Sequence, residues 1–498
     1  MVDASSLTRS ETWPLIAGIS QFLASTGVKT YVVGGWIRDV LLDRRANDVD
    51  FAVSNDGLES ASRVAGFFSG TFVVVDDVNR VGRAVLTKGQ DGQLTLDFAT
   101  YHGTIEDDLA RRDFTIDAIA VDPSETSSPG RLIDPFDGAT DLDRKLVMAT
   151  GAGVFEEDPL RLLRAVRLSA LLGFRIDDRT ESMIRRDALL VSNASGERTR
   201  EELGCLLSTP GSGRFLSYMD RLGLLRAIIP ELDPMRGAEQ PKEHFWNVLD
   251  HCFKTVEAFD YLVHEGDWKY ADARGHAQWS SEIAAYFLAK IGAMTNRAAL
   301  FRLASLLHDI AKPQTRTIEP GGKVRFLGHP QEGAEIAAKI LSRLRFSKRE
   351  RRLVETTVRY HLRPTQMGWP EMPTRRAVYR FCRDTGEAAT GVLFVSLADH
   401  LATRGPNLGL DGWKSHTKIT GYVISWREGQ REAPHRLIDG YDIMNFFGLK
   451  PGQRLGVMLD AVREAQASGE ISTKQEALSL VEEMLADSTA GRPETEAR

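Results

Sequence analysis

At 498 residues the chain is too long for one hydrophobic core and reads as several domains. Its 42% hydrophobic and 27% charged residues suit a soluble globular protein, and no apolar run approaches the roughly 20 residues that span a bilayer. A net charge of −6 neither advertises nor excludes nucleic-acid binding, because local basic patches matter more than the total. The three cysteines, Cys205, Cys252 and Cys382, are too widely spaced for a disulfide framework or a cysteine zinc site, which fits a reducing, cytoplasmic setting. The N-terminus, Met1-Val-Asp-Ala-Ser-Ser6, lacks a basic-then-apolar signal pattern.

Residues 11–27 predict an amphipathic helix. The apolar run Tyr31-Val-Val then enters Gly34-Gly35, and a helical segment leaves with Arg38-Asp39 in its first turn. Backbone N–H groups at such a turn make a natural phosphate seat. A strand follows with Asp48 and Asp50 two residues apart, so both carboxylates point to one side. Adjacent carboxylates repel unless a cation sits between them, and a divalent metal is the usual answer. Phe72–Val75, Arg83–Leu86 and Leu94–Ala99 predict further strands, the first two joined by the polar turn Asp76–Asn79. Asp97, inside the third, is a candidate third carboxylate. Leu132-Ile133-Asp134-Pro135 predicts a last short strand and turn.

After Gly153 the pattern becomes helical. Asp158-Pro159 predicts a helix start, with Asp158 as N-cap. Leu160, Leu163, Val166, Leu168 and Leu171 follow at helical spacing, and Glu197–Leu207 predicts another helix. Pro230–Pro241 reads as a linker, 242–405 as helical and rich in histidine, Pro406 to about 434 as a polar connection, and Leu437–Leu485 as a last helical unit. The tail after Ala486 is polar.

Three of these stretches resemble the class II nucleotidyltransferases, the tRNA CCA-adding enzymes and bacterial poly(A) polymerases. They are the Gly34-Gly35…Arg38-Asp39 element, the Asp48-Val-Asp50 strand, and Asp108-Leu-Ala-Arg111-Arg112-Asp113-Phe114-Thr115-Ile-Asp117-Ala118. The family has Asn where this chain has Asp117, so a role that needs the amide does not carry over. The resemblance implies that Gly34, Gly35, Arg38, Arg111, Arg112 and Asp113 help hold an incoming nucleotide. It also implies that Mg²⁺ ions on Asp48 and Asp50 serve a two-metal transfer to an RNA 3′-hydroxyl.

Glu157-Asp158-Pro-Leu-Arg161-Leu-Leu-Arg164 is similar to the family's base-reading motif. A carboxylate accepts from an exocyclic amine, and a guanidinium donates to a ring nitrogen or carbonyl. Cytosine and adenine both pair an amine donor with a ring-nitrogen acceptor, so Asp158 and Arg161, with Arg164 one turn on, select C and A over G and U. Ser195–Leu203 resembles the next family helix, which braces the pocket.

The histidines form a further pattern: His251, His308-Asp309, His329, His361 and Asp399. This series resembles the HD superfamily of metal-dependent phosphohydrolases. It implies metal ligands at His251, His308, Asp309 and Asp399, with His329 and His361 completing a second position or binding phosphate. Imidazole with carboxylate suits a transition metal such as Mn²⁺, Ni²⁺ or Co²⁺. His244 competes with His251, and His102, His264, His276, His400, His416 and His435 read as ordinary. The basic run Arg343–Arg352 reads either as a solvated helix face or as a phosphate-backbone contact.

The expected fold is α+β. A mixed α/β nucleotidyltransferase head (1–150) precedes an all-helical neck for base recognition and RNA binding (151–235), an HD domain (236–405), and a linker with a C-terminal helical tail (406–498). The expected activity is template-independent addition of CCA to tRNA from CTP and ATP, with a second phosphatase or cyclic phosphodiesterase site and no membrane partner. Poly(A) polymerase, a CC-adding or A-adding specialist, and an RNA-binding head serving an HD hydrolase are the alternatives.

Overall fold

The computed structural model describes residues 5–87, 92–124, 132–241, 244–270, 272–292, 295–368, 371–429 and 436–490, the last four without side chains. It divides into two compact units. One comprises 1–206 and 218–230, the other 207–217 and 231–498.

The first unit is built on a six-stranded sheet of order β3-β4-β5-β2-β1-β6, with β1 Thr30–Val33, β2 Asp48–Val53, β3 Thr71–Asp76, β4 Val81–Thr87, β5 Gln93–Thr100 and β6 Ala120–Val121. Strand β2 pairs antiparallel with β1 and parallel with β5, which requires a crossover connection. That connection includes the helix Gly57–Phe67, which buries Leu58, Ala61, Val64 and Ala65 and is capped by the Asp56 carboxylate accepting from Glu59 N–H at 3.1 Å. The predicted helix at 11–27 is shorter, Trp13–Ala24. The strand expected at Leu132–Asp134 is only a bridge between Ile133 and Ala120. The last strand of this sheet, β6, follows the Arg111–Ala118 motif directly, with Ala120 and Val121 wholly buried beside β1.

The second unit is helical apart from the hairpin Arg316–Ile318/Val324–Phe326. Helices Val248–Leu262, Arg297–Leu307 and Ala389–Arg404 pack together around Phe259, Phe301 and Phe394. Gly391 lets the last two approach, since a Cβ there would overlap the Phe301 ring. A buried ion network fastens the 207–217 segment to these helices. Arg302 pairs with Asp260 and Glu265 and donates to the Leu207 carbonyl at 2.6 Å, while Asp260 accepts from Gly213 N–H at 2.9 Å. The expected linker at Pro230–Pro241 begins with a short 3₁₀ helix, Pro230–Met235.

The polar connection expected from Pro406 to about 434 contains a helix, Leu410–Gly429. Its buried face (Trp413, His416, Thr417, Ile419, Thr420, Val423, Ile424) mixes three polar side chains with four apolar ones, so apolar periodicity understated it. Trp413 anchors it by donating Nε1–H to the Ala273 carbonyl at 2.9 Å. The end of that stretch, 430–434, and His435 lie outside the described residues. The last three helices, Gly440–Phe447, Gln453–Ser468 and Lys474–Ala490, share a core of Ile443, Met458, Val462 and Val481. The last helix opens on a capping box, with Thr473 N–H donating to Glu476 at 3.0 Å and the reciprocal bond at 3.3 Å.

Candidate functional site

In the first unit, Asp50 lies directly opposite Asp97 in the parallel β2–β5 register, and Asp48 opposite Thr95. Side chains two apart on a strand share a face, so the three carboxylates face one side of the sheet. Arg83 on β4 holds Asp97 in a two-pronged pair at 2.7 and 2.8 Å. This arginine was invisible in sequence, because only the antiparallel pairing places it beside Asp97. Asp97 is thus the wall of the carboxylate face, while Asp48 is exposed and Asp50 half-buried. Burial pushes the Asp50 carboxyl up, and the guanidinium groups of Arg112 and Arg164 oppose that shift. A carboxylate in that state fits a cationic ligand.

Gly34 has φ +76°, and a Cβ there would lie 2.6 Å from Arg112 Nη1 and 3.5 Å from Asp50 Oδ2. Glycine is required both for the left-handed backbone and for that approach. Its own N–H donates to the Ile119 carbonyl at 3.1 Å, which removes that amide from the phosphate seat expected at the turn. Gly35 leaves room for the Arg38 guanidinium, the nearest group to a Cβ there at 3.4 Å. Arg38 is buried and grips Asp39 at 3.0 Å and Asp117 at 2.6 Å. It is a brace between the helix Gly35–Leu41 and the Arg111–Ala118 motif. Asp117, the residue that departs from the family pattern, is the acidic side chain that this brace uses.

Arg111, Arg112, Asp113, Asp158, Arg161, Arg164 and Arg198 line one small cavity of about 250 Å³. Asp113 is buried, accepts from Phe114 N–H at 3.0 Å and pairs with Arg164 at 2.7 Å. Asp158 lies before the helix Arg161–Leu172 rather than at its N-cap, accepting from Leu160 N–H at 3.1 Å. Arg198 forks onto Asp158 at 2.7 and 3.3 Å. Arg161 reaches the Arg111 carbonyl at 2.7 Å and Glu157 at 3.1 Å. The sequence placed Arg198 on a bracing helix, and its grip on Asp158 is a tertiary contact.

In the second unit the six expected histidine and aspartate positions converge. Ligand atoms of His251, His308 and Asp309, of His308, His361 and Asp399, and of Asp309, His329 and His361 lie within 4.8 Å of one another in each group. His251 Nε2 is 3.0 Å from Asp399 Oδ1, His308 Nε2 3.1 Å from Asp309 Oδ2, and His329 Nε2 3.2 Å from Asp309 Oδ1. His308, His329 and His361 each direct Nδ1 to the carbonyl three residues earlier, at 2.8, 2.7 and 2.7 Å. A carbonyl only accepts, so Nδ1 carries a proton in each, and Nε2 is the atom turned inward. Burial pushes His361 down to about 3, keeping it neutral. Against the cost of burial, His308 and Lys312 hold Asp309, and His251 holds Asp399, well below the usual carboxylate range. Buried imidazoles whose Nε2 atoms face carboxylates are a metal donor set.

Lys312, unmarked in the sequence reading, joins this cluster at 2.6 Å from Asp309 and donates to Gln240 at 2.6 Å. His244 stacks edge-on to His251 with ring centroids 5.3 Å apart, outside the three-ligand groups. His400 and His416, read as ordinary, pair with each other, Nδ1 to Nδ1 at 3.3 Å. In the basic run, Arg343 pairs with Glu231 at 2.9 Å and Arg349 with Glu387 at 2.9 Å. Both take part in the folded unit's own ion pairs.

Comparison with known proteins follows the same division. Residues 30–148 match the poly A polymerase head domain, 173–236 the probable RNA and SrmB-binding site of polymerase A, and 275–404 the HD domain. Head and HD domains of these kinds depend on divalent metal ions. The A-adding tRNA nucleotidyltransferase of Deinococcus radiodurans is 32% identical over 91% of this chain and 94% of its own length. The CC-adding tRNA nucleotidyltransferase of Thermus thermophilus is 32% identical over 90% and 92%. In fold, a CCA-adding enzyme solved with ATP is similar at a TM-score of 0.65 and 18% identity, covering 100% of this chain and 99% of that one. The Thermotoga maritima CCA-adding enzyme complexed with tRNA is similar at 0.62 and 20% identity, covering 97% and 98%. No helix among the described residues is long and apolar enough to cross a membrane.

Proposed function

The chain belongs to the tRNA nucleotidyltransferase family, and we propose that it adds C, C and A to tRNA 3′ ends from CTP and ATP without a nucleic-acid template. The observation that carries this reading is the cavity gathering Arg111, Arg112, Asp113, Asp158, Arg161 and Arg164, with Arg112 reaching past Gly34 toward Asp50. Mg²⁺ on Asp48 and Asp50, when bound, supplies the charge that eases deprotonation of the tRNA 3′-hydroxyl and departure of pyrophosphate. Arg111 and Arg112 offer donors to the triphosphate, and Asp113 steadies Arg164 at the cavity wall. Arg198 fixes the plane of the Asp158 carboxylate; with Leu160 N–H it fills Oδ1 but leaves a lone pair on Oδ2, enough to accept an exocyclic amine. Arg161 keeps part of its fork for the ring nitrogen beside it, so the pair accepts C and A and leaves G and U with mismatched donors.

One observation favours a narrower product. Relatives aligned over nine-tenths of the chain include an A-adding and a CC-adding enzyme. Incubating tRNA that ends before CCA with CTP, ATP or both, and sequencing the products, separates CCA, CC, A and poly(A) addition. Absence of any incorporation, with the native chain no different from an Asp48→Ala/Asp50→Ala variant, sinks the transferase reading and leaves an RNA-binding head beside a hydrolase.

The histidine cluster is read as a second, metal-dependent phosphohydrolase centre, with a metal such as Mn²⁺, Ni²⁺ or Co²⁺ held by His251, His308, Asp309 and Asp399. His329 and His361 complete the other side, and Lys312 stands where it can meet a phosphate charge. Its test is hydrolysis of a phosphomonoester and a 2′,3′-cyclic nucleotide with each metal in turn; inactivity with all of them rejects it.

A further inference from the structure

The second unit contains a cavity of about 660 Å³, away from the histidine cluster. It is walled by the helices Ser281–Leu288, Arg375–Thr385, Ala389–Arg404, Leu410–Gly429 and Gln453–Ser468. Its charged lining is four arginines (Arg383, Arg427, Arg436, Arg463) against two glutamates (Glu282, Glu428), an excess of two positive charges. Three of these guanidinium groups are held in place by the fold, Arg463 by donating to Asp460 at 3.1 Å. Arg427 donates to Thr390 Oγ1 at 2.7 Å and to the Gly386 carbonyl at 3.3 Å, and Arg383 donates to Asp384 at 2.8 Å. Each guanidinium carries five N–H donors, so these bonds leave others for a ligand.

The rest of the lining is aromatic and aliphatic. Tyr379 and Trp426, both half-buried, stand with Ile283, Leu393 and Ile424. Burial pushes the lining thiol of Cys382 up to about 11, so it adds no negative charge at neutral pH. The volume is within the range of small-molecule sites and far larger than a bare phosphate or sulfate needs. Fixed guanidinium groups beside ring faces match an anion that also carries a flat aromatic group: the arginines take the phosphate, and a ring stacks on Trp426 or Tyr379.

We propose that this cavity binds a nucleotide, either free or as one unit of an RNA strand, at a site separate from both the transfer pocket and the histidine cluster. The test is equilibrium dialysis of the full chain, in EDTA, with AMP, with a short single-stranded oligoadenylate and with inorganic phosphate. Two variants report on the site: Arg463→Gln, which removes a guanidinium, and Ala467→Trp, which fills the cavity from the same helix.

AMP or the oligonucleotide should bind the native chain, and each variant should weaken that binding by roughly tenfold or more, the worth of a charge-assisted bond. CMP incorporation into tRNA should be unchanged in both, because neither residue lies in the first unit. Binding of AMP identifies a free nucleotide, and binding of the oligonucleotide alone identifies an RNA unit. Inorganic phosphate binding as tightly as AMP overturns the proposal, since the aromatic wall is then idle. So does binding that neither variant weakens, or no binding of either nucleotide ligand. If Arg463→Gln fails to fold, Ala467→Trp decides the matter by itself.

Discussion

Asp158 stands just ahead of the helix whose arginines it works with, and Arg198 holds it there from a different helix. The base-reading role proposed for it is therefore separable from helix stability. Replacing Asp158 by alanine should leave the fold intact, since its only local bond is to Leu160 N–H. It should lower discrimination for CTP and ATP over UTP and GTP by roughly ten- to a hundredfold, the value of about 1–3 kcal/mol of base-specific hydrogen bonding. Misincorporation kinetics with each nucleotide check this; an unchanged ratio with a lower rate assigns Asp158 to positioning alone. Asp48, Asp50, Asp158 and Arg161 were all legible as residue types at fixed spacings. Arg83, Arg198 and Lys312 were not, because each acts on a carboxylate brought to it by strand pairing or helix packing.

At the scale of elements, close approach sets where site residues stand. Gly391 sits on the helix that carries Asp399, facing Phe301 on the helix that leads into His308. An alanine there gains about 1 kcal/mol of helix propensity but forces overpacking that costs about 1–3 kcal/mol or more. Gly391→Ala should lower the thermal midpoint and weaken metal binding together. A midpoint that stays or rises shows that the Phe301 ring gives way. The C-terminal helices are tied differently. Glu464, largely buried, pairs with Arg380 at 2.7 Å and Arg376 at 3.1 Å. The Arg380 hydrogen bond, against a smaller burial effect, holds its carboxyl below the usual glutamate range. A depressed folded-state pKa gives stability that is present above the unfolded value and lost as pH falls through the folded one. Glu464→Gln should thus cost about 1–2 kcal/mol at neutral pH, moderated by the half-exposed arginines, and the difference should shrink as pH falls to about 4. Denaturation of both proteins across that range measures it; a gap that widens toward low pH contradicts it.

For the whole molecule, the transfer pocket lies in one compact unit and the histidine cluster in the other. A ligand that binds only the folded state raises stability with its concentration. Adding Mn²⁺, Ni²⁺ or Co²⁺ should raise the unfolding midpoint of the native chain and not that of His308→Ala, while CMP incorporation by His308→Ala in Mg²⁺ stays near the native rate. Loss of incorporation in that variant would falsify the independence of the two sites.

The sequence by itself determined the division into a mixed head and a helical remainder, and it singled out most of the residues to which chemistry is assigned as a proposal. Period-two and period-3.6 patterns are local, and glycine, aspartate and histidine at set spacings announce their chemistry before the chain folds. It did not reveal the helix Leu410–Gly429, whose buried face includes His416, Thr417 and Thr420, nor the strand Ala120–Val121, which follows directly on the Arg111–Ala118 motif. Tertiary structure decided the partners. It set Asp97 against Arg83, Arg38 against Asp117, and Lys312 beside Asp309, and it enclosed the arginine-lined cavity of the second unit. These depend on which surfaces meet across long stretches of chain, and no local spacing encodes that.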